Sequence, residues 1–176
     1  MRSLSEKMIK KYWKELGLAV IITGIVLWLV DVLGDLFFAE PETLSVSTEI
    51  MLFGLIALFL PALIGSIPSG YLIAKKTQEI KSIVFVPALG AALAGIILIL
   101  FSAVSMLLLS DADWQNQLNE VKEFGEIFGE MTLEEFRYFT LFSVVFGGLF
   151  IAVFNFGIGL AGGFAGGKLF LATKKA

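Results

Sequence analysis

The sequence predicts an all-α membrane protein with four transmembrane helices, arranged as two parallel-repeat hairpins, plus an outer amphipathic helix. Three observations support this fold class: 57% of the 176 residues are hydrophobic, only 16% are charged, and the apolar residues fall in long runs. Soluble domains average about 45–50% apolar and about 25% charged residues. Lipid is therefore the expected solvent for these runs, and residues 1–176 are expected to form a single membrane domain.

Four apolar runs are long enough to cross a membrane. A helix needs roughly 20 apolar residues to span a hydrocarbon core of about 30 Å, and the runs cover residues 16–38, 50–74, 83–109 and 139–171. The first run follows a basic segment, residues 1–15, as a secretory signal would. It is too long for a signal, and Phe37 and Phe38 spoil a cleavage site at Ala39. We expect it to be retained as an anchor.

The charges alternate along the chain and predict its orientation. All but two of the 13 cationic residues lie before the first run, between the second and third, or at the end. By the positive-inside rule these clusters lie in the cytoplasm, so we expect a multi-pass protein of the cell membrane with N and C termini cytoplasmic. The clusters contain Arg2, Lys7, Lys10, Lys11, Lys14, Lys75, Lys76, Lys81, Lys168, Lys174 and Lys175, whereas Lys122 and Arg137 lie in an acidic, outward-facing connection.

Residues 112–131 have the periodicity of an amphipathic helix. The apolar residues recur at three- and four-residue steps: Trp114, Leu118, Val121, Phe124, Phe128 and Met131. Such a helix can lie along the outer membrane face, with Trp114 at the level of the headgroups, or over the outer ends of the bundle. After it, Thr132 and Glu135 have the spacing of a capping box, which predicts the start of a new helix.

Two glycine-containing octapeptides form an internal repeat. Residues 65–72 (GSIPSGYL) align with residues 162–169 (GGFAGGKL), with small residues coinciding at four positions. Both copies close an outside-to-inside run just before basic residues. The repeat therefore predicts two hairpins in parallel orientation, related by an axis along the membrane normal.

Small residues on these runs predict close helix contacts, because lipid provides no hydrophobic force between helices and backbones must approach closely instead. Pro61, Pro68 and Pro87 should bend their helices and free carbonyl groups, which we interpret as architecture in preference to a cavity. The predicted helix-packing residues are Gly65, Gly70, Gly90, Gly95, Gly159, Gly162, Gly163, Gly166 and Gly167.

The motif Gly-Gly-Phe-x-small-Gly-x-Leu, which ends the fourth run, resembles a motif of uncharacterised four-helix membrane proteins found mainly in archaea. The first copy departs from it at Ser66, Ile67 and Pro68. The resemblance covers the two octapeptides and the hairpin layout but not the loops, and it implies no established activity. The second copy keeps Gly162, Gly163, Phe164, Gly167 and Leu169.

Several motifs imitate ligand sites without the context that those sites need. Residues 157–162 match G-x-G-x-x-G but lie inside an apolar helix instead of after a strand. Residues 162–168 imitate a phosphate loop, yet Leu169 replaces the Ser or Thr that holds magnesium, and Lys168 is expected to reach toward headgroups instead. Asp111 and Asp113 begin like a calcium loop, but its twelfth position is Lys122.

The chain contains no cysteine and no histidine, which removes thiol chemistry, imidazole ligands and the commonest general base. We therefore expect no catalytic residue, no cofactor and no metal. Glu134 and Glu135 remain conceivable bases at the outer interface, which keeps a membrane enzyme as the least favoured hypothesis. We also expect no nucleic-acid partner.

Two function classes remain. The favoured one is a non-enzymatic structural or accessory subunit that packs through its small-residue faces, with membrane lipids and either its own copies or a larger membrane complex as partners. The alternative is a small channel or carrier with a polar path near Asn155 and an acidic outer mouth at Asp31 and Asp35. For Asn155 itself, an interhelical hydrogen bond is favoured over a transport role.

Overall fold

A computed structural model describes residues 4–38, 48–124 and 130–174, and within them the chain is helical with no strand. The all-α prediction is confirmed. The helices are α1 (Leu4–Lys11), α2 (Trp13–Phe38), α3 (Thr48–Lys76), α4 (Ile80–Leu107), α5 (Asp111–Phe124) and α6 (Leu133–Thr173).

Three helices in the described part of the chain are long and apolar enough to cross a membrane. These segments are Trp13–Val30, Ile80–Leu107 and Leu133–Thr173, within α2, α4 and α6. By length and composition these helices suggest a membrane protein, but the described residues contain three candidate spans where four were expected. Helix α3, which contains the run 50–74, is not among them; the side chains of its residues 48–56 and 58 lie outside the description.

The chain divides into two compact units, and helices α4 and α6 contribute to both of them. The first unit comprises residues 1–95 and 151–176, and the second comprises residues 96–150. Helices α1 to α3 belong to the first unit, and α5 belongs to the second.

Four helices of the first unit alternate in direction. Helix α3 runs antiparallel to α2, because Gly65 of α3 meets Thr23 whereas Ser69, further along α3, bonds to the earlier residue Glu15. The three residues 77–79 then join α3 to α4. Helix α6 runs antiparallel to α4, since the neighbours of Ile83 and Ala88 on α6 are Gly163 and Gly159 respectively.

The first unit also has an apolar cluster at the end where α1 lies. Tyr12 connects α1 to α2 and is 1% exposed, and it lies in one cluster with Ile73, Ala74, Ile83 and Val86. Because α2, α3 and α4 all contribute to it, this cluster joins the ends of three helices by ordinary side-chain burial.

In the second unit, α5 buries its apolar face against protein. Trp114 and Leu118 are 4% and 2% exposed and form a cluster with Phe136 of α6. The Trp114 and Phe136 rings meet edge to face at 6.1 Å, and the Arg137 guanidinium lies 5.8 Å from the Trp114 ring centroid while pairing with Asp111. The apolar face of α5 is therefore packed on α6.

The helix predicted over residues 112–131 is only partly described, because residues 125–129 lie outside the described residues. Helix α5 starts at Asp111 and ends at Phe124, and Met131 lies in the non-helical segment before α6. Phe128 lies outside the described residues. Met131 packs against the Trp114 cluster, although it is not helical itself.

Both of the described helices that begin in the second unit start with a capping box. At α6 the Thr132 hydroxyl accepts from the Glu135 amide at 3.3 Å, and the Glu135 carboxylate accepts from the Thr132 amide at 2.8 Å. This prediction is confirmed. Ser110 and Asp113 repeat the arrangement at α5, with amide-to-side-chain distances of 3.2 and 3.1 Å. Each box satisfies amides that a helix start leaves free.

Candidate functional site: a glycine-lined helix junction

Nine glycines of the first unit lie where α2, α3, α4 and α6 approach one another, and we call this region the glycine junction. A methyl group placed on any of them would lie closer than 3.4 Å to an atom of a neighbouring helix, which is tighter than ordinary van der Waals contact. No larger side chain fits without moving a neighbour. The nine are Gly65, Gly70, Gly90, Gly95, Gly159, Gly162, Gly163, Gly166 and Gly167.

The two octapeptides of the repeat meet each other inside this junction. Gly70 of α3 faces the backbone of Gly163 of α6, and a methyl group on Gly162 would lie 2.8 Å from the Cβ of Ser66. Gly162 also faces the carbonyl of Leu63, and Gly166, four residues later, faces the carbonyl of Ile67, which is four residues after Leu63. Rising residue numbers on α3 therefore meet rising numbers on α6, so the two helices run parallel, and small residues on both sides let their backbones come together.

Helix α4 closes the other side of α6 through its proline turn. Pro87 has no N–H to bond the carbonyl of Ile83, four residues earlier, and a methyl group on Gly163 would lie 2.7 Å from that carbonyl oxygen. The Ser66 hydroxyl donates to the Pro87 carbonyl at 3.4 Å. Both α3 and α6 therefore approach α4 at this proline, where the carbonyl groups of Ile83 and Pro87 provide polar contacts.

Helix α2 reaches the junction through small side chains and carries a partly buried ion pair in its first turn. Gly90 of α4 lies against Ala19, where an added methyl would be 2.6 Å from the alanine Cβ. The Ser69 hydroxyl donates to the Glu15 carbonyl at 2.8 Å, and the Lys76 amine pairs with the Glu15 carboxylate. Helices α2 and α3 are thereby joined by one backbone contact and one charged contact.

Glu15 is the functional-site residue that sequence reasoning missed. Its side chain is only 5% exposed, whereas the Lys76 side chain is 54% exposed. Glu15 belongs to the basic segment 1–15, immediately before the first apolar run, where cationic residues dominate the pattern. The available signal was a lone carboxylate at the start of one apolar run and two lysines at the end of the next, since antiparallel neighbours bring such ends together.

Asn155 is buried in the junction without the expected interhelical hydrogen bond. Its side chain is 1% exposed, and neither its Nδ2 nor its Oδ1 atom has a partner among the described residues. A methyl group on Gly95 would lie 3.3 Å from Nδ2. The residue of α4 opposite the amide is thus a glycine, which has no side-chain group to accept a hydrogen bond.

The polar path predicted from Asn155, Asp31 and Asp35 stays a prediction. Asp31 and Asp35 lie one turn apart on α2, but their side chains are outside the described residues. Thr23, also on α2, is completely buried, and its hydroxyl lacks a described partner. The groups that the structure places in the junction are therefore hydroxyls, one amide and one ion pair.

Within the described ranges, no three His, Cys, Asp or Glu side chains lie close enough together to hold a metal ion. Comparisons of this chain with family models, with curated proteins and with solved structures give no match.

Proposed function

We propose that this protein is a non-enzymatic integral membrane protein of four spans that acts as a structural or accessory subunit. Three spans are the apolar segments of α2, α4 and α6, and the fourth is α3. Support for α3 comes from its neighbours: it runs antiparallel to α2 and parallel to α6, and it is 29 residues long. A helix packed among three spans has no water available for its backbone and must cross with them.

The observation that carries the proposal is the tightness of the glycine junction. Gly70 against Gly163, Gly159 against Ala88 and Gly90 against Ala19 bring backbones or β-carbons of four helices together. Transport by alternating access requires helices to rock past one another, and these contacts would have to separate together. A fixed scaffold requires no such movement, so the junction favours a structural role.

The nine junction glycines already contact helices of the same chain. We therefore propose that self-association uses the face of α2 that points away from the junction. Gly17 and Gly24 are seven residues apart and have no atom within 4 Å of an added methyl. Ile21 and Trp28 lie on the same face and are each 59% exposed. This face alternates small and large residues, which allows two copies to interlock.

Crosslinking in native membranes tests this role. We expect the wild type to form defined oligomers both in membranes and in mild detergent. Gly24→Leu should lose most of the crosslinked product. Gly157→Leu is the matched control, since Gly157 is also open but lies on α6. A protein that remains monomeric in membranes and across detergents would refute the subunit role.

A small channel or carrier is the second candidate, favoured by the buried amide of Asn155, which has no hydrogen-bond partner among the described residues. Intramembrane polar groups often mark substrate pathways. This alternative requires cation flux in liposomes that falls in Asn155→Leu and in Asp31→Asn. Absence of flux, or equal flux in wild type and both variants, would contradict the channel or carrier function and leave the subunit role as the remaining candidate.

A further inference from the structure

A cavity of about 310 Å³ lies in the first unit where the end of α3, the start of α4 and the last turns of α6 meet. This volume is at the lower end of the range in which proteins hold small molecules, roughly 300–1,000 Å³. Thr77, Gln78 and Lys168 contribute its polar groups, whereas Val84, Phe164 and Leu171 are among its apolar lining residues. The cavity therefore has a polar part and an apolar part, as a binding site for an amphiphile requires.

The cationic group of this cavity is held in place but has no counter-ion in the described chain. The Lys168 amine lies 5.3 Å from the centroid of the Phe164 ring, and both residues line the cavity. A cation over an aromatic face is attracted by the ring quadrupole. No carboxylate of the described residues lies within 4 Å of that amine, in contrast to Lys76, which is paired with Glu15.

The apolar lining is open on the side where lipid would be. Phe164 is 51% exposed and Leu171 is 46% exposed, although both lie on a membrane-spanning helix. On the opposite side, Gly167 keeps α6 close to α4, because a methyl group there would lie 2.7 Å from the Cγ2 atom of Ile83. An acyl chain can therefore lie along the open side while the headgroup meets the polar groups.

We propose that this cavity binds an anionic phospholipid, with the phosphate at Lys168, Thr77 and Gln78 and an acyl chain along Phe164 and Val84. The proposal rests on the membrane location given above, which places Lys168 at the cytoplasmic surface. Basic pockets between helices on that side attract anionic headgroups. The cationic ammonium of a zwitterionic choline headgroup would instead be repelled by Lys168.

The Thr77 hydroxyl supports this assignment. Its oxygen accepts from the Glu79 amide at 3.2 Å, so its proton is directed elsewhere and is available to a phosphate oxygen. Thr77 thus supplies a donor, the Lys168 ammonium supplies charge, and the Gln78 amide supplies further donors.

Native mass spectrometry of the full-length protein tests the site with phosphatidylglycerol and phosphatidylcholine of identical acyl chains. We expect the wild type to retain phosphatidylglycerol preferentially, and Lys168→Gln to weaken that preference roughly fivefold, the equivalent of about 1 kcal/mol per surface cation. Lys174→Gln is the matched control: it removes a nearby exposed cation that does not line the cavity, and its effect should stay under about twofold.

A second variant separates cavity filling from charge. Leu171→Trp leaves every cation in place and fills the open side, so it should lower retention of both lipids, with thermal unfolding confirming that the variant is folded. Equal losses in Lys168→Gln and Lys174→Gln, or no preference for phosphatidylglycerol in the wild type, would overturn the proposal. Extraction of wild-type protein from membranes by alkaline carbonate would instead refute the membrane location itself.

Discussion

At the scale of single residues, the glycines of this chain fall into two classes that the sequence does not distinguish. A methyl group at Gly163 would collide with the Ile83 carbonyl, whereas one at Gly157 would meet no atom within 4 Å. Both glycines lie on α6, six residues apart, in equally apolar surroundings. The difference between them is the position of α4, which only tertiary structure supplies.

Substitution by alanine should therefore have opposite effects at these two sites. We expect Gly163→Ala to lower the free energy of unfolding by about 1–3 kcal/mol, because the added methyl overpacks backbone atoms that cannot rotate away. Gly157→Ala should raise it by about 0.5–1 kcal/mol, because alanine loses less conformational entropy in a helix. Equilibrium unfolding in mixed micelles measures both, and equal effects would contradict the intramolecular junction.

The Glu15–Lys76 pair gives a second prediction at this scale. Lys76→Met should lower the free energy of unfolding by about 1–3 kcal/mol, because it leaves the buried Glu15 carboxylate without its partner. The double variant Glu15→Gln with Lys76→Met should recover at least half of that loss. A double-mutant cycle with no coupling energy would show that the pair contributes nothing.

At the scale of elements, the sequence predicts features that depend on residues close along the chain, but not which helices pack against one another. The Thr132 capping box was predictable because its donors and acceptors lie within four residues of one another. The sequence does not predict what α5 packs against, because the pattern of an apolar face is the same whether it contacts lipid or the Phe136 ring. Burial of Glu15 and the missing partner of Asn155 depend on which helix lies opposite, and spacing does not give that information.

The Ser110 capping box makes the start of α5 dependent on pH. Hydrogen bonds from the Ser110 hydroxyl and amide hold the pKa of Asp113 below its ordinary value. The stabilisation from this carboxylate is therefore complete above its unfolded pKa of about 4, and it is lost as pH falls through the lower folded value.

Trp114 reports this change, because it lies one residue after Asp113 and is buried on Phe136. With Trp13 and Trp28 replaced by phenylalanine, the acid-induced change in its fluorescence should be smaller in Asp113→Asn than in the wild type. Glu120→Gln, on the same helix but outside the box, should behave like the wild type. An identical acid response in both variants would remove the box as its cause.

For the molecule as a whole, the distribution of charge predicts which segments face which side of the membrane. The chain has no cysteine, so single-cysteine variants can be labelled without background. In sealed vesicles of known orientation, we expect an impermeant maleimide to label Lys122→Cys from the outer side and Lys7→Cys only after permeabilisation. Labelling of both positions from one side would overturn the four-span topology.

The length of α6 has one more consequence. Its 41 residues correspond to about 60 Å at 1.5 Å per residue, roughly twice the thickness of the oily layer. To lie entirely within that layer, a straight rod of this length would have to lean about 60° from the normal, beyond the 0–40° that such helices adopt. A helix of this length that crosses a membrane therefore extends beyond the hydrocarbon layer at one end. The end that carries Glu134, Glu135 and Arg137 has the charged side chains that such an extension into water requires.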